Sequence, residues 1–436
     1  MNKLKEKIKT KTATLGVVGL GYVGLPLAVE KAKAGFQVIG FDVQSAKVDM
    51  VNAGHNYIGD VVNEDLKQIV ASGLLRATTD FASVAACDCV CIAVPTPLDK
   101  HQEPDISYVR SSVESIAKHM HKDMLIVLES TTYPGTTEEL LKPILERSGL
   151  KCGEDFYLAF SPERVDPGNL RFKTKNTPKV VGGCTPTCTD IAATMYEMVL
   201  EAPVHRVSCP AVAEMEKILE NTYRNINIGL VNELGRLCHE MGISVWEVID
   251  AAKSKPYGFQ AFYPGPGLGG HCIPLDPYYL TWKAREYGFH TTLIENSMVI
   301  NDGQPGYCVN RAMHVLNREA KKAINGAKVL VLGVAYKQDI DDYRESPAIR
   351  VINELKRVGA DVCFYDPWIE KYRDQGEEMV GQPALTAELL ESADLVMVTC
   401  AHSNVDYEFV QKHAKLIFDT KNVMKNVAER DNIEVL

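Results

Sequence analysis

A chain of 436 residues exceeds what one hydrophobic core usually organises, so two or three domains are expected. Its 46% apolar and 24% charged residues are those of an ordinary soluble globular protein. The formal charge of −10 argues against general nucleic-acid affinity, but clustered backbone N–H groups can bind an anion such as phosphate whatever the global sign.

Residues 1–12 are lysine-rich, and the apolar run from Thr14 to Leu20 is too short and too glycine-interrupted for an export signal or a membrane span. Residues 13–43 then read as a β-α-β unit: an apolar run, a glycine cluster, a helical pattern stopped at Gly35, and a second apolar run ending in Asp42. Gly19-Leu20-Gly21-Tyr22-Val23-Gly24 fits GxGxxG. On its own the string is weak; here it follows a strand, opens a helix and is answered by Asp42. Its glycines suit a tight turn, close approach to a pyrophosphate and close helix–sheet contact, with the helix N-terminus facing the phosphates. Asp42 would accept both ribose hydroxyls and repel a 2′-phosphate, favouring NAD over NADP. Lys47 is a candidate contact to the adenosine ribose or, equally, a solvated helix lysine.

Apolar runs at 87–97, 124–131 and 156–163 each end in turn or polar residues. Residues 1 to about 205 are therefore expected to form a doubly wound parallel sheet. Cys87, Cys89 and Cys91 alternate as in a strand, and the remaining cysteines form no paired CxxC elements. Reduced thiols in a cytoplasmic enzyme fit better than disulfides, and no metal site is expected.

From Cys209 to Gly242 the chain reads as one helix of about 30 residues, or roughly 45 Å. Such a helix links domains, and its exposed face suits a dimer seam or a plain solvated spine. Lys217, Asn221, Arg224 and Ile228 fall at i, i+4, i+7 and i+11 and so share a face. Charged stripes are usually solvated surfaces; this one also offers cationic and amide donors to one locus.

The stretch FYPGPGLGGHCIPLDP (262–277) is poor secondary structure. Its glycines clear space for a ligand, its prolines limit the entropy lost on ordering, and Cys272 at its end is a candidate nucleophile. A buried structural cysteine is the alternative. His271 is adjacent in sequence, which does not place its ring on the sulfur. At Gly326 the β-α-β pattern restarts, with a helix from Pro347 to Val358 and apolar runs at 360–367, 393–400 and 414–420, giving a second α/β domain.

GLGYVGLP, VPTP (94–97), EST (129–131), SPER (161–164), AEMEKILENTYRNINI (213–228), PGPGLGGHCIPLDP (264–277) and KQDIDDYRESPA (337–348) together resemble, in order, the nucleotide-sugar 6-dehydrogenases, the UDP-glucose/GDP-mannose dehydrogenase family. The resemblance spans essentially the whole chain. It implies an α/β fold of two doubly wound Rossmann-like domains joined by a central helical domain with one long helix. The expected bounds are 1–205 for NAD, 206–318 for the helices and the cysteine loop, and 319–436 for the UDP-sugar. It also implies a four-electron oxidation with NAD. Charge and hydropathy lead to the expectation of no membrane or nucleic-acid partner, and the exposed face of the central helix to that of a homodimer or higher oligomer.

Carried over, Cys272 attacks the C6 aldehyde and holds it as thiohemiacetal and then thioester. Lys217 stabilises oxyanion charge, and Asn221 adds a hydrogen bond. Asp276 and Thr131 position a water for which Glu163 is the general base. Thr96, Ser130 and Arg344 resemble cofactor contacts. Arg164, Arg224, Tyr263, Gly267 and Lys337 resemble substrate contacts, as do Lys217 and Asn221. Lys421 stands where many relatives have arginine, keeping the charge without the bidentate fork.

In the UDP-glucose branch a second acidic residue follows SPE; here that position is Pro167, as in the N-acetylhexosamine branch. The run GLGGHCIPLDPYYLTWKA (267–284) favours UDP-N-acetyl-D-glucosamine over the N-acetylmannosamine, N-acetylgalactosamine and glucose nucleotides. A two-electron dehydrogenase would need no thiol, and a non-catalytic NAD-binding regulator would make no NADH.

Overall fold

The strands foreseen from the apolar runs form in a computed structural model of the chain, which describes every residue except Met1, Asp60, Pro167, Gly168, Leu170 and His271. Pro167 and His271, both singled out above, therefore lie outside the described residues. The chain divides into two units, Met1–Glu220 with Tyr278–Phe289, and Asn221–Pro277 with His290–Leu436.

In the first unit eight strands form one sheet: β1 (Thr14–Val18), β2 (Gln37–Phe41), β3 (Leu75–Thr78), β4 (Cys89–Ile92), β5 (Leu125–Leu128), β6 (Tyr157–Phe160), β7 (Lys179–Gly183) and β8 (Val204–Val207). Their order is β3-β2-β1-β4-β5-β6-β7-β8. The strands β4, β5 and β6 are buried along their whole length, which is why they read as unbroken apolar runs. Alternate residues feed two cores: Val17, Cys89, Cys91 and Val127 face one layer, Val18, Val90, Ile92 and Ile126 the other. Strand order reverses between β1 and β4, and the ends of these strands bracket the crevice where α/β sheets take ligands.

The sheet is not wholly parallel, which corrects the expectation. β7 pairs antiparallel with β6, through Ala159 opposite Gly183 and Phe160 opposite Gly182, and β8 follows β7. The described residues between β6 and β7 include only a single 3₁₀ turn, Thr174–Asn176, and a parallel return would need a longer crossover, usually helical.

The second unit contains a five-stranded parallel sheet and a hairpin. In chain order the strands are β9 (Lys328–Leu332), β10 (Asp361–Tyr365), β11 (Lys371–Asp374), β12 (Glu377–Val380), β13 (Leu395–Val398), β14 (Ile417–Asp419) and β15 (Ile433–Val435). The parallel sheet runs β10-β9-β13-β14-β15. β11 and β12 form the hairpin, turned by Gln375 and Gly376, both with positive φ as a two-residue turn of this hand requires.

The long helix spans Pro210–Met241, 32 residues. Its second half packs Val231 against Val245, Trp246 and Ile249. Leu230, Leu234, Leu237 and Met241 remain exposed at i, i+4, i+7 and i+11. Among the described residues no helix is long and apolar enough to cross a membrane.

Candidate active site

The first glycine turn is fixed by contact. Gly19 has φ +90°, and a Cβ there would lie 2.5 Å from the Ala93 carbonyl oxygen. A Cβ on Gly24 would lie 1.7 Å from the Gly19 oxygen, so the helix Gly24–Lys33 can sit on the turn only without a side chain. At Gly21 the same test meets nothing within 4 Å, which leaves room beside the helix N-terminus for a phosphate. Tyr22 is exposed there and Val23 half-buried.

Asp42 closes the far side. One carboxylate oxygen accepts the Leu20 N–H and the other the Gln44 N–H, both at 2.9 Å, and Lys47 Nζ lies 3.9 Å away. Sequence reasoning missed Tyr57, whose hydroxyl donates to the Leu20 carbonyl at 2.7 Å. Burial, aided by the Asp42 charge, pushes its phenol pKa up.

The VPTP and EST segments are stitched together at the ends of β4 and β5. Thr96 Oγ1 donates to the Thr131 carbonyl and Ser130 Oγ to the Val94 carbonyl, each at 2.7 Å, and the Tyr279 hydroxyl donates to the Thr96 carbonyl. After β6, one oxygen of Glu163 accepts the N–H groups of Arg164 (2.8 Å) and Val165 (2.9 Å).

The Arg164 guanidinium, foreseen as a substrate contact, is held by Glu216 at 3.4 Å, by Glu220 and by the Pro178 carbonyl. Partial burial and the neighbouring Glu220 carboxylate raise Glu216 to about 7, while Glu220, although burial raises it, is lowered on balance by hydrogen bonds from Arg164 and Glu216 and by the Arg164 and Lys217 charges. Lys217, between them in sequence, is 7% exposed and makes no salt bridge among the described residues.

In the second unit, Cys272 is exposed at the end of its glycine loop. Its carbonyl accepts the N–H of Asp276 at 2.9 Å and of Leu275 at 3.2 Å. The Asp276 carboxylate in turn accepts from Asn221 Nδ2 at 2.6 Å, and both residues are buried. The structure thus brings together Asn221, Asp276 and the backbone of Cys272.

Two residues that the sequence reading passed over extend this hold. Asn225 donates to the Ile273 carbonyl at 3.0 Å, and Asn232 accepts the Gly265 N–H at 3.1 Å. Asparagine is a poor residue for a helix interior, so its recurrence at 221, 225 and 232 was the available signal.

The loop glycines are explained by protein contact rather than by ligand approach alone. A Cβ on Gly269 would lie 2.7 Å from both Tyr336 Cβ and Pro347 Cδ, and one on Gly270 2.9 Å from the Tyr336 ring. Gly267, a foreseen substrate contact, packs less tightly, a Cβ there lying 3.2 Å from Pro347 Cβ and 3.4 Å from Pro305 Cδ, but its φ of +136° also favours glycine. The single face foreseen on the long helix also divides: Lys217 and Asn221 are buried, Ile228 half-buried and Arg224 exposed.

Tyr263 donates to Asp250 at 2.8 Å and stacks on Trp246. Arg344 is clasped by Asp342 at 2.6 Å and 2.9 Å. Lys337 is half-buried in the segment that follows β9. Lys421 Nζ lies 3.1 Å from where a Gly265 Cβ would be, and burial lowers its pKa.

Three stretches match the UDP-glucose/GDP-mannose dehydrogenase family models: its NAD binding domain at residues 13–200, its central domain at 211–303 and its UDP binding domain at 330–426. The chain belongs to this family.

A UDP-N-acetyl-D-glucosamine 6-dehydrogenase of Pseudomonas aeruginosa is 35% identical over 424 residues, covering 95% of this chain and 98% of that protein. An NDP-N-acetyl-D-galactosaminuronic acid dehydrogenase of Ralstonia nicotianae is 34% identical, covering 94% and 96%. The solved structure of a UDP-D-ManNAc dehydrogenase from Pyrococcus horikoshii superposes with a TM-score of 0.88 at 30% identity, covering 97% of this chain and 98% of that one.

As a member of the UDP-glucose/GDP-mannose dehydrogenase family the protein is an NAD-dependent oxidoreductase, and the cradle from Gly19 to Gly24 with Asp42 fits that cofactor. Arg344, Lys337 and Lys421 all fall within the stretch matching the UDP binding domain.

Proposed function

We propose that the protein oxidises the C6 hydroxymethyl group of UDP-N-acetyl-D-glucosamine to the carboxylate, supplying a surface polysaccharide precursor. Two NAD molecules, bound in turn, would each take up one hydride, one for each of two successive oxidations. Cys272 Sγ adds to the C6 aldehyde, and the resulting thiohemiacetal is carried on to a thioester. Lys217 and Asn221 donate to the oxygen on which negative charge develops. Glu163 takes a proton from the water that releases the acid, with Asp276 and Thr131 orienting that water. The reaction is expected in the cytoplasm, which keeps the thiol reduced.

The observation that carries this reading is the exposed Cys272 thiol on a loop pinned through Asp276 to Asn221. An N-acetylhexosamine is supported by Pro167 in place of a second acidic residue, and its gluco configuration by the run from 267 to 284. The relatives named above carry three different N-acetylhexosamines in their names, so the test is a panel of UDP-glucose with UDP-N-acetyl-glucosamine, -galactosamine and -mannosamine, counting NADH per sugar. We expect UDP-N-acetylglucosamine to turn over fastest with two NADH per sugar. One NADH per sugar would refute the overall reaction, and preference for another nucleotide would refute the substrate.

We also infer that a second copy of the chain covers Leu230, Leu234, Leu237 and Met241, since a helical stripe at this spacing suits a self-complementary pair. Light scattering at micromolar protein should report a dimer or larger. A monomer there would rule the pairing out.

A further inference from the structure

Lys179 opens β7 with its ammonium in the interior. Its Nζ donates to one oxygen of Glu129 at 2.7 Å and lies 3.4 Å from Glu163 Oε2. The other oxygen of Glu129 accepts from the Tyr196 hydroxyl at 2.6 Å, and the Tyr196 ring centre lies 5.2 Å from the ammonium. Behind them Cys91 Sγ lies 3.9 Å from the Tyr196 hydroxyl and 2.7 Å from Lys31 Nζ. Lys31, Cys91, Tyr196, Glu129 and Lys179 are all buried, and Glu163 is the member of this string whose side chain reaches solvent.

A scaffold does not call for such a string. Its three buried charged residues, Lys31, Glu129 and Lys179, each give up several kcal/mol of hydration, by order of magnitude, and apolar residues of the same volume often hold a core as well or better. What the string does supply is an oriented carboxylate at its end. One oxygen of Glu163 is fixed by the Arg164 and Val165 amides, and the other faces Lys179. The plane of the carboxylate is thereby set from both sides. A general base works only when its lone pair lies within hydrogen-bond reach of the water it deprotonates.

We propose that Lys179, anchored by Glu129 and Tyr196, is the positioning residue that holds Glu163 in register for thioester hydrolysis. The proposal rests on the reading of Glu163 as the hydrolytic base, and it assigns Lys179 to the last step rather than to the oxidations. In that step water adds to the thioester carbon, Glu163 takes the water proton, and the C–S bond breaks. The acid and the Cys272 thiolate are released.

The test follows NADH release and the intact mass of the enzyme during turnover, with the sugar nucleotide that the panel selects. Three variants are compared: Glu163→Gln, Lys179→Arg, and the double change Lys179→Met with Glu129→Gln, which removes both members of the Lys179–Glu129 pair together. The double variant and Glu163→Gln should each release a burst of two NADH per site and then turn over slowly, kcat falling by about 100-fold for the misplaced base and about 10²–10⁴-fold for its loss, with KM falling in parallel because the sugar acyl group accumulates on Cys272. Lys179→Arg should restore turnover and lose the adduct. The proposal fails if Glu163→Gln accumulates the adduct while the double variant, slow or fast, does not. If Glu163→Gln itself carries no adduct, the base assignment falls, and the role of Lys179 falls with it.

Discussion

Replacing Cys272 by alanine should abolish acid formation, lowering kcat by about 10⁴-fold or more, as loss of a covalent nucleophile does elsewhere. The structure predicts that this loss comes without unfolding. The side chain is exposed, and the turn beneath it is made by the backbone, with the Cys272 carbonyl accepting the Asp276 and Leu275 N–H groups. The variant should therefore melt within roughly the ±0.5 kcal/mol of an ordinary surface change. NADH titration should show unaltered cofactor affinity. Thermal melts, NADH yield per sugar and the chromatographed product test all three points together. Full turnover to the acid by Cys272→Ser would refute covalent catalysis, because a direct oxidation has no need of the thiol.

The second large effect is expected at Gly24. An alanine Cβ would meet the Gly19 carbonyl oxygen at 1.7 Å, and neither partner is a flexible side-chain end. Gly19 cannot yield easily, because it is itself held close to the Ala93 carbonyl and donates its N–H to the Phe41 carbonyl at 2.8 Å. The helix must therefore tilt off the turn. We expect Gly24→Ala to cost about 2–4 kcal/mol of stability and to weaken NADH binding by about 100-fold or more. Gly21→Ala is the matched control: its Cβ meets no protein atom within 4 Å, so the fold should stand while binding still weakens. Wild-type NADH affinity in Gly24→Ala would show that the turn does not set the phosphate site.

Much of this was legible in the chain because it rests on local chemistry. The Gly19–Gly24 turn and Asp42 are spelled out within thirty residues, and the helix from 209 to 242 announced itself by having no proline after Pro210. Strand direction was not legible, since β7 carries the same apolar signature whichever way it runs; only its return loop decides. Lys179 was invisible for another reason. A lysine entering a strand looks solvated, and the carboxylate that lets it be buried, Glu129, lies fifty residues earlier. The placing of Arg164 between Glu216 and Glu220 depends in the same way on which helix turn passes beside it. Residue types carried the chemistry of the site, whereas the pairings that orient it arise only when distant segments meet.

The close seating of Gly269 and Gly270 on Tyr336 and Pro347 bears on how this enzyme can be altered. The Cys272 loop and the segment from Tyr336 to Pro347 are mated surfaces, cut to one another to within a methyl group. A loop borrowed from a relative with a different sugar preference would bring its own contour to an unmatched seat, and the thiol would inherit the error. Grafts intended to change the sugar should therefore exchange both segments as one cassette.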